Sequence, residues 1–293
     1  MTAPDRSIGG PTAVVLTLVL LTAGCLTGTG PTTEPGPPEA DWATDTGVNT
    51  TALARAHFAA LRSAGNFSEN HSETVRVNGD PRPAAARPDA YHPPNYVVRR
   101  VDLKDGRYLD SYVTVGHRQS NHFVTPEVTA RRESPCPDCP YEYHYGERPA
   151  GDVLSKRLDR YRSGETVTRF ARILRGVTVG FEYSYAGTEA VDGKVLYRYR
   201  ATRELNITPP LFDTPPRGTA TILLTEAGVV RRFTLRYVGR ASVSIDGRER
   251  SINVSHTFIR TYSDVGETSV GRPPWVARAT GSDPPRSTVT DTS

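Results

Sequence analysis

The sequence predicts an α+β fold: one large antiparallel, half-barrel-like sheet with two helical segments packed on its apolar face. Three observations predict it. Residues from Val177 onward alternate apolar and polar side chains, run after run, with Gly-containing turns between. Only two stretches carry apolar residues at helical spacing, 48–65 and 152–175. A sheet with one apolar face must have that face covered, and these two stretches are what the sequence offers.

The first element is a targeting segment rather than part of the fold. Ala13 to Ala23 is an apolar run preceded by Arg6 and Pro11. Eleven helical residues reach about 16 Å, roughly half a bilayer core, which is the length of a signal-peptide core and too short to span. Ala23-Gly24-Cys25 follows and resembles the lipobox of bacterial and archaeal lipoproteins, with Thr22 in place of the usual leucine. The resemblance implies that residues 1–24 are removed and that Cys25 carries the lipid. An unmodified thiol at that place in an oxidising compartment would be reactive, which also favours modification. Residues 25–47, rich in Pro, Gly and Thr, read as a flexible tether, and 280–293 as a disordered tail. A single domain is expected over 48–279.

That domain opens with a helix, "GVNTTALARAHFAALRSAG", with Asn49 as N-cap and Gly65 as C-terminal stop. His57 shares the helix's apolar face and reads as a hydrogen-bonded core residue rather than a ligand. Strands follow at 73–77, 96–103 and 107–115, the last two flanking a Lys104-Asp105-Gly106 hairpin turn. Residues 118–131 read as strand broken at Pro126. The second helical stretch divides at Gly164. The closing meander places Phe181, Tyr183, Tyr197, Tyr199, Phe233 and Tyr237 on its apolar face, and these six are the candidate ligand-facing residues. Arg198, Arg200, Arg232 and Arg236 stripe the other face and read as a solvated surface.

Cys136 and Cys139 lie in "SPCPDCPYEYHYGE". A C-x-x-C reads as a structural disulfide, half of a zinc site or a redox pair. Prolines beside both cysteines and the lack of a following helix speak against redox. A zinc site would need His144 with His117 or His122, at spacings of no familiar kind. In an exported chain the disulfide is the favoured reading, and no metal site is assigned. Five Asn-X-Ser/Thr sequons, at Asn49, Asn66, Asn70, Asn206 and Asn253, are candidate N-glycosylation sites.

Formal net charge is +4, from 36 Lys and Arg against 32 Asp and Glu, and only three of the basic residues are lysines. With no basic run and no nucleic-acid motif, nucleic acid is not expected as a partner. No G-x-S-x-G, H-E-x-x-H, P-loop or dinucleotide fingerprint is present, so the chain reads as no enzyme and as needing no cofactor.

The Ala23-Gly24-Cys25 box, the opening helix, "VDGKVLYRY", "DVGETSVGRPPWVARA" and the low lysine count together resemble a family of haloarchaeal-type surface lipoproteins of unknown function. Those proteins are typically strongly acidic, and this chain is not. The order of elements is also similar to that of the outer-membrane lipoprotein carriers and of mycobacterial lipid-binding lipoproteins. These resemblances imply an extracytoplasmic protein on the outer face of the cell membrane, held by the lipid on Cys25. Two functional expectations follow. In one, the half-barrel encloses a lipid or other apolar ligand against the six aromatic residues. In the other, the core is filled and the protein serves a structural or interaction role through its surface.

Overall fold

The computed structural model describes residues 36–281, apart from 45–46, 79, 82–93, 115–117, 137, 147, 177–179, 205–211 and 246–247. The predicted signal segment, Cys25, the tether up to residue 35, Asn206 and the tail from 282 lie outside the described residues.

Helix α1 (Thr50–Ala64) forms where its caps dictate. The Asn49 side chain accepts from the backbone N–H groups of Thr51 and Ala52 at 3.1 and 3.0 Å. The helix stops at Gly65, which takes φ +82° and returns its N–H to Leu61 O, a left-handed conformation that glycine adopts without steric cost. The chain then enters a sheet of strands β1 (Asn66–Val77), β2 (Asp80–Pro81), β3 (Pro94–Asp102), β4 (Arg107–Thr114), β5 (Gln119–Val124), β6 (Thr129–Ser134) and β7 (Glu142–Tyr145). Helices α2 (Ala150–Arg162) and α3 (Gly164–Leu174) intervene. Strands β8 (Ser184–Val191), β9 (Lys194–Glu204), β10 (Arg217–Leu224), β11 (Val230–Ile245) and β12 (Arg248–Ser263) complete the sheet, and α4 (Trp275–Ala279) closes the fold.

The described strands form one antiparallel sheet in the order β7-β6-β5-β4-β3-β1-β12-β11-β10-β9-β8, with β2 beside β1. Two meanders therefore flank β1, which pairs with β3 on one side and β12 on the other. The sheet does not close on itself: β7 and β8 are its two edges. The chain leaves one edge at β7 and rejoins at the opposite edge at β8, and α2 and α3 make the crossing. Their buried side chains Leu158, Tyr161, Phe170 and Leu174 share one core cluster with Phe58 and Leu61 of α1 and with Phe67, Tyr199, Ile222, Phe233 and Tyr262 of the sheet. The opposite face is covered locally, where Val270, Trp275 and Val276 pack against Phe123 and Ala130.

Three features differ from expectation. The tether was expected to run to residue 47, yet Trp42 is buried in the main core, and its carbonyl accepts from Asn49 N; the folded chain starts before α1. Strand β1 begins immediately after Gly65, seven residues ahead of the expected 73–77. Of the run from Val177 to Tyr185, residues 177–179 lie outside the described residues, and Phe181 and Tyr183 precede β8 without strand pairing. Phe181 N instead donates to Arg175 O, and the Tyr183 hydroxyl to Leu174 O, so both residues are pinned to the end of α3.

Candidate functional site

On β1, Phe67, Glu69, His71, Glu73 and Val75 point to the face that meets the helices, since successive residues alternate faces. Cross-strand register then fixes their neighbours. Glu69 stands opposite Tyr262 on one side and Arg99 on the other. Arg99 stands opposite Asp110, Asp110 opposite His122, His122 opposite Arg131, and Arg131 opposite His144. One transverse row thus runs from the centre of the sheet to its β7 edge, almost wholly ionisable.

The inner end of this row is buried and compensated. Glu69 lies 3.3 Å from Arg99 and 3.5 Å from Arg260, and the Tyr161 hydroxyl of α2 donates to it at 2.7 Å. Burial pushes the Glu69 carboxyl up, but Arg260 and Arg99 outweigh it and hold it near 2. A buried charge is tolerated only when paired in this way. Farther along, Asp110 accepts from Tyr108 OH and from Arg157 of α2, at 3.2 and 3.4 Å. Arg157 also donates to His122 Nδ1 at 3.0 Å. Burial, aided by Arg157 and Arg131, lowers the His122 imidazole below its ordinary value, against the pull of Asp110.

A neutral His122 that accepts at Nδ1 carries its proton on Nε2, which faces Ser120 Oγ at 3.1 Å; that hydroxyl in turn donates to Glu133. Ser120, His122 and Asp110 have the order of a nucleophile, base and acid, but not the working arrangement. Ser120 is fully buried, its hydrogen is directed to Glu133, and Arg157 takes the hydrogen bond at Nδ1 while the Asp110 carboxylate stands 3.6 Å away. With Glu133 of β6, the three residues form a polar chain across β4, β5 and β6.

The outer end of the row opens into a cleft of about 230 Å³ between α2 and β5–β7, lined by His122, Arg131, His144, Arg148, Val153 and Arg157, among others. Among the described residues, none that lines it is acidic. A second groove shares Arg148, Val153 and Arg157 and continues along α2 past Asp152, Lys156 and Arg160.

A scan against protein-family models finds no match to this chain, and a search of the curated proteins finds no significant one.

The residues singled out from sequence fall elsewhere. Phe181, Tyr183, Tyr199 and Phe233 are buried in the main core, and Tyr197 and Tyr237 are half-buried against it. Tyr199 packs edge-on to Trp42 and Tyr185, with ring centroids 6.0 and 5.5 Å apart. None of the six lines either cleft. Cys136 and Cys139 are bridged, with Cα atoms 5.1 Å apart, and the Ser134 hydroxyl lies within hydrogen-bond reach of both their carbonyls. His144, weighed as a zinc ligand, lies in the β5–β7 cleft. Among the described residues no cluster of three or more His, Cys, Asp or Glu could hold a metal, and no helix is long and apolar enough to cross a membrane. Of the sequons, Asn253 is exposed on β12, Asn49 caps α1, Asn66 accepts from Thr268 N at 2.9 Å, and Asn70 is half-buried on β1. Arg198 in the expected stripe is committed to the Ala186 carbonyl at 3.1 and 2.9 Å, whereas Arg200, Arg232 and Arg236 are exposed.

The cleft escaped sequence reading because its residues come from three strands and a helix. A signal did exist: "EYHY" alternates polar and aromatic residues, as a half-buried strand does.

Proposed function

We propose that this chain is a lipid-anchored, extracytoplasmic, non-enzymatic lipoprotein whose half-barrel is occupied by its own side chains, and which acts as an interaction protein through its polar surface. The observation that carries the role is the fate of the six aromatic residues. Each is spent on packing against α1, α3 or a neighbouring strand, so the apolar surface that would hold a lipid chain is already covered. The half-barrel description is supported by the open strand order, with the crossing of α2 and α3 from one edge to the other. Anchoring rests on the Ala13–Cys25 segment alone, with a diacyl-type modification supplying the stable attachment that one chain would not.

Two measurements test this. Membrane fractionation of the expressed chain is expected to recover it with the membranes, and the Cys25→Ser variant in the soluble fraction; a Cys25→Ser chain that stays membrane-bound overturns the anchor. Native mass spectrometry of that variant is expected to give the mass of the chain with one disulfide. Extra mass that is lost on denaturation and extracts into organic solvent would restore the lipid-carrier alternative.

A further inference from the structure

Each of α1, α2 and α3 buries one side in the main core and turns the other to solvent. The exposed charged side chains of the three helices are seven basic and three acidic, an excess of four that equals the formal net charge of the entire chain. The carboxylates have local roles. Asp152 and Glu165 stand in the first turns of α2 and α3, where they offset the positive end of the helix dipole. Asp159 accepts from the Ser155 hydroxyl at 3.3 Å. Of the cations, Arg62 and Arg162 donate to the carbonyls of Tyr161 and Leu103. That leaves Arg55 on α1, Lys156 and Arg160 on α2, and Arg169 and Arg172 on α3. Among the described residues, none of these five is in an ion pair. The chain also enters the fold beside this layer. Trp42 belongs to the same core cluster as α1, and its indole meets Ala56 of α1 at the point where a Cβ on Gly228 would stand, 2.9 Å from each.

We propose that the outward face of α1, α2 and α3 docks on an anionic lipid surface, laying the helical layer against the membrane that holds Cys25. The inference rests on the anchored reading given above. Cys25 lies seventeen residues before Trp42, so even a fully extended chain carries Trp42 at most about 60 Å from the bilayer. The anchor keeps the helical face at a high effective concentration over the headgroups. Each Lys or Arg near a negative surface then favours contact about fivefold. Among the described residues, no large apolar side chain is exposed on these helices; those that are exposed are Tyr96, Tyr145, Val195 and Val238. The face therefore rests on the headgroups without inserting, and salt releases it. Arg200, Arg232 and Arg236 lie on the opposite face of the sheet, away from the helices and from the point of entry. A bilayer touches one of the two faces at a time.

The test is sedimentation of the full-length Cys25→Ser chain with vesicles of phosphatidylglycerol and phosphatidylcholine, beside pure phosphatidylcholine, at low and high salt. Binding to the mixed vesicles that high salt abolishes is expected, with none to phosphatidylcholine. Lys156→Gln, Arg169→Gln and Arg172→Gln together, all at exposed positions, are expected to weaken it about 100-fold, about fivefold per charge. Arg200→Gln, Arg232→Gln and Arg236→Gln together, an equal change of charge on the other face, are expected to leave it unchanged. Absence of binding to the mixed vesicles overturns the proposal, as does equal weakening by the two triple variants. Binding to soluble dextran sulfate without binding to vesicles also overturns it, by assigning the face to an acidic polymer. The anchor is scored separately, by a high-salt wash of membranes carrying the wild-type chain. Release of that chain, with vesicle docking intact, refutes the anchor and leaves the docking face standing.

Discussion

Glu69, His57 and His71 set the acid limit of this protein. His57 accepts from Val230 N at 3.2 Å and lies between Phe170 and Tyr262, with ring centroids 4.9 and 4.4 Å away. Burial drives its imidazole down to about 3, against the pull of Glu69. Burial, with Arg260 adding, lowers His71 to about 4. Glu69, held near 2 by its arginines, needs no proton when folded until the solution is far more acidic. Ordinary values are 6.5 for the histidines and 4.5 for the glutamate. The signs agree: between those ordinary values and the folded ones, the unfolded chain holds more protons than the folded chain, so stability falls as pH falls. The histidine contribution is complete above pH 6.5 and is lost as pH drops through about 4 and 3; that of Glu69 is lost between 4.5 and 2. Each proton taken up only on unfolding costs about 1.4 kcal/mol per pH unit. Urea midpoints are therefore expected to drop between pH 7 and pH 5, largely ahead of the carboxylates. A flat response over that interval would show that neither imidazole is buried in its neutral form.

At the scale of elements, α2 is tied to the sheet at two points, by Arg157 to Asp110 and His122 and by the Tyr161 hydroxyl to the buried Glu69. Tyr161→Phe removes the hydroxyl and leaves a buried carboxylate oxygen without its donor. The cost is expected to be about 1.5–3 kcal/mol, as for hydrogen bonds to charged groups, and is read from chemical denaturation. An unchanged midpoint would mean that Arg99 and Arg260 satisfy Glu69 without help from the helix. The same contact explains what the sequence conceals. Helix α1 is legible because Asn49, Gly65 and the apolar spacing between them act locally. The late strands are legible because Ala220, Ile222 and Leu224, and then Phe233 and Leu235, bury the side that alternation assigns to them. The early part of β1 carries no strand signal in the sequence, since its inward residues include Glu69 and His71. Their partners Arg99, Arg260 and Tyr161 come from three other elements, and no local window contains them. Near the β8–β9 turn the alternation misleads as well. The pairing of β8 is irregular between Tyr185 and Thr188, and in the facing part of β9 Leu196 is buried while Val195 is 58% exposed.

For the molecule as a whole, the question is where the folded chain begins. Composition places the boundary at residue 47, because Pro, Gly and Thr dominate up to there. The structure moves it back by at least one turn of chain. Trp42 is 3% exposed and lies edge-on to Tyr199 of β9. A side chain added at Gly228, before β11, would meet the Trp42 ring at 2.9 Å. Thr44 and Gly47 exchange backbone hydrogen bonds, and Ala43 bridges to Val48, so the indole is delivered by a closed turn rather than a trailing strand. The segment joins α1 to the far meander, two regions that are distant along the chain. Trp42→Ala is expected to cost about 3–5 kcal/mol, as for a large aromatic side chain lost from a packed interior. A chain trimmed to start at residue 48 is expected to lose at least as much relative to one starting at residue 36, since it also loses the Trp42 carbonyl that accepts from Asn49 N at the cap of α1. Equal urea midpoints for the two trimmed chains would return residues 36–47 to the tether and leave Trp42 without a structural role.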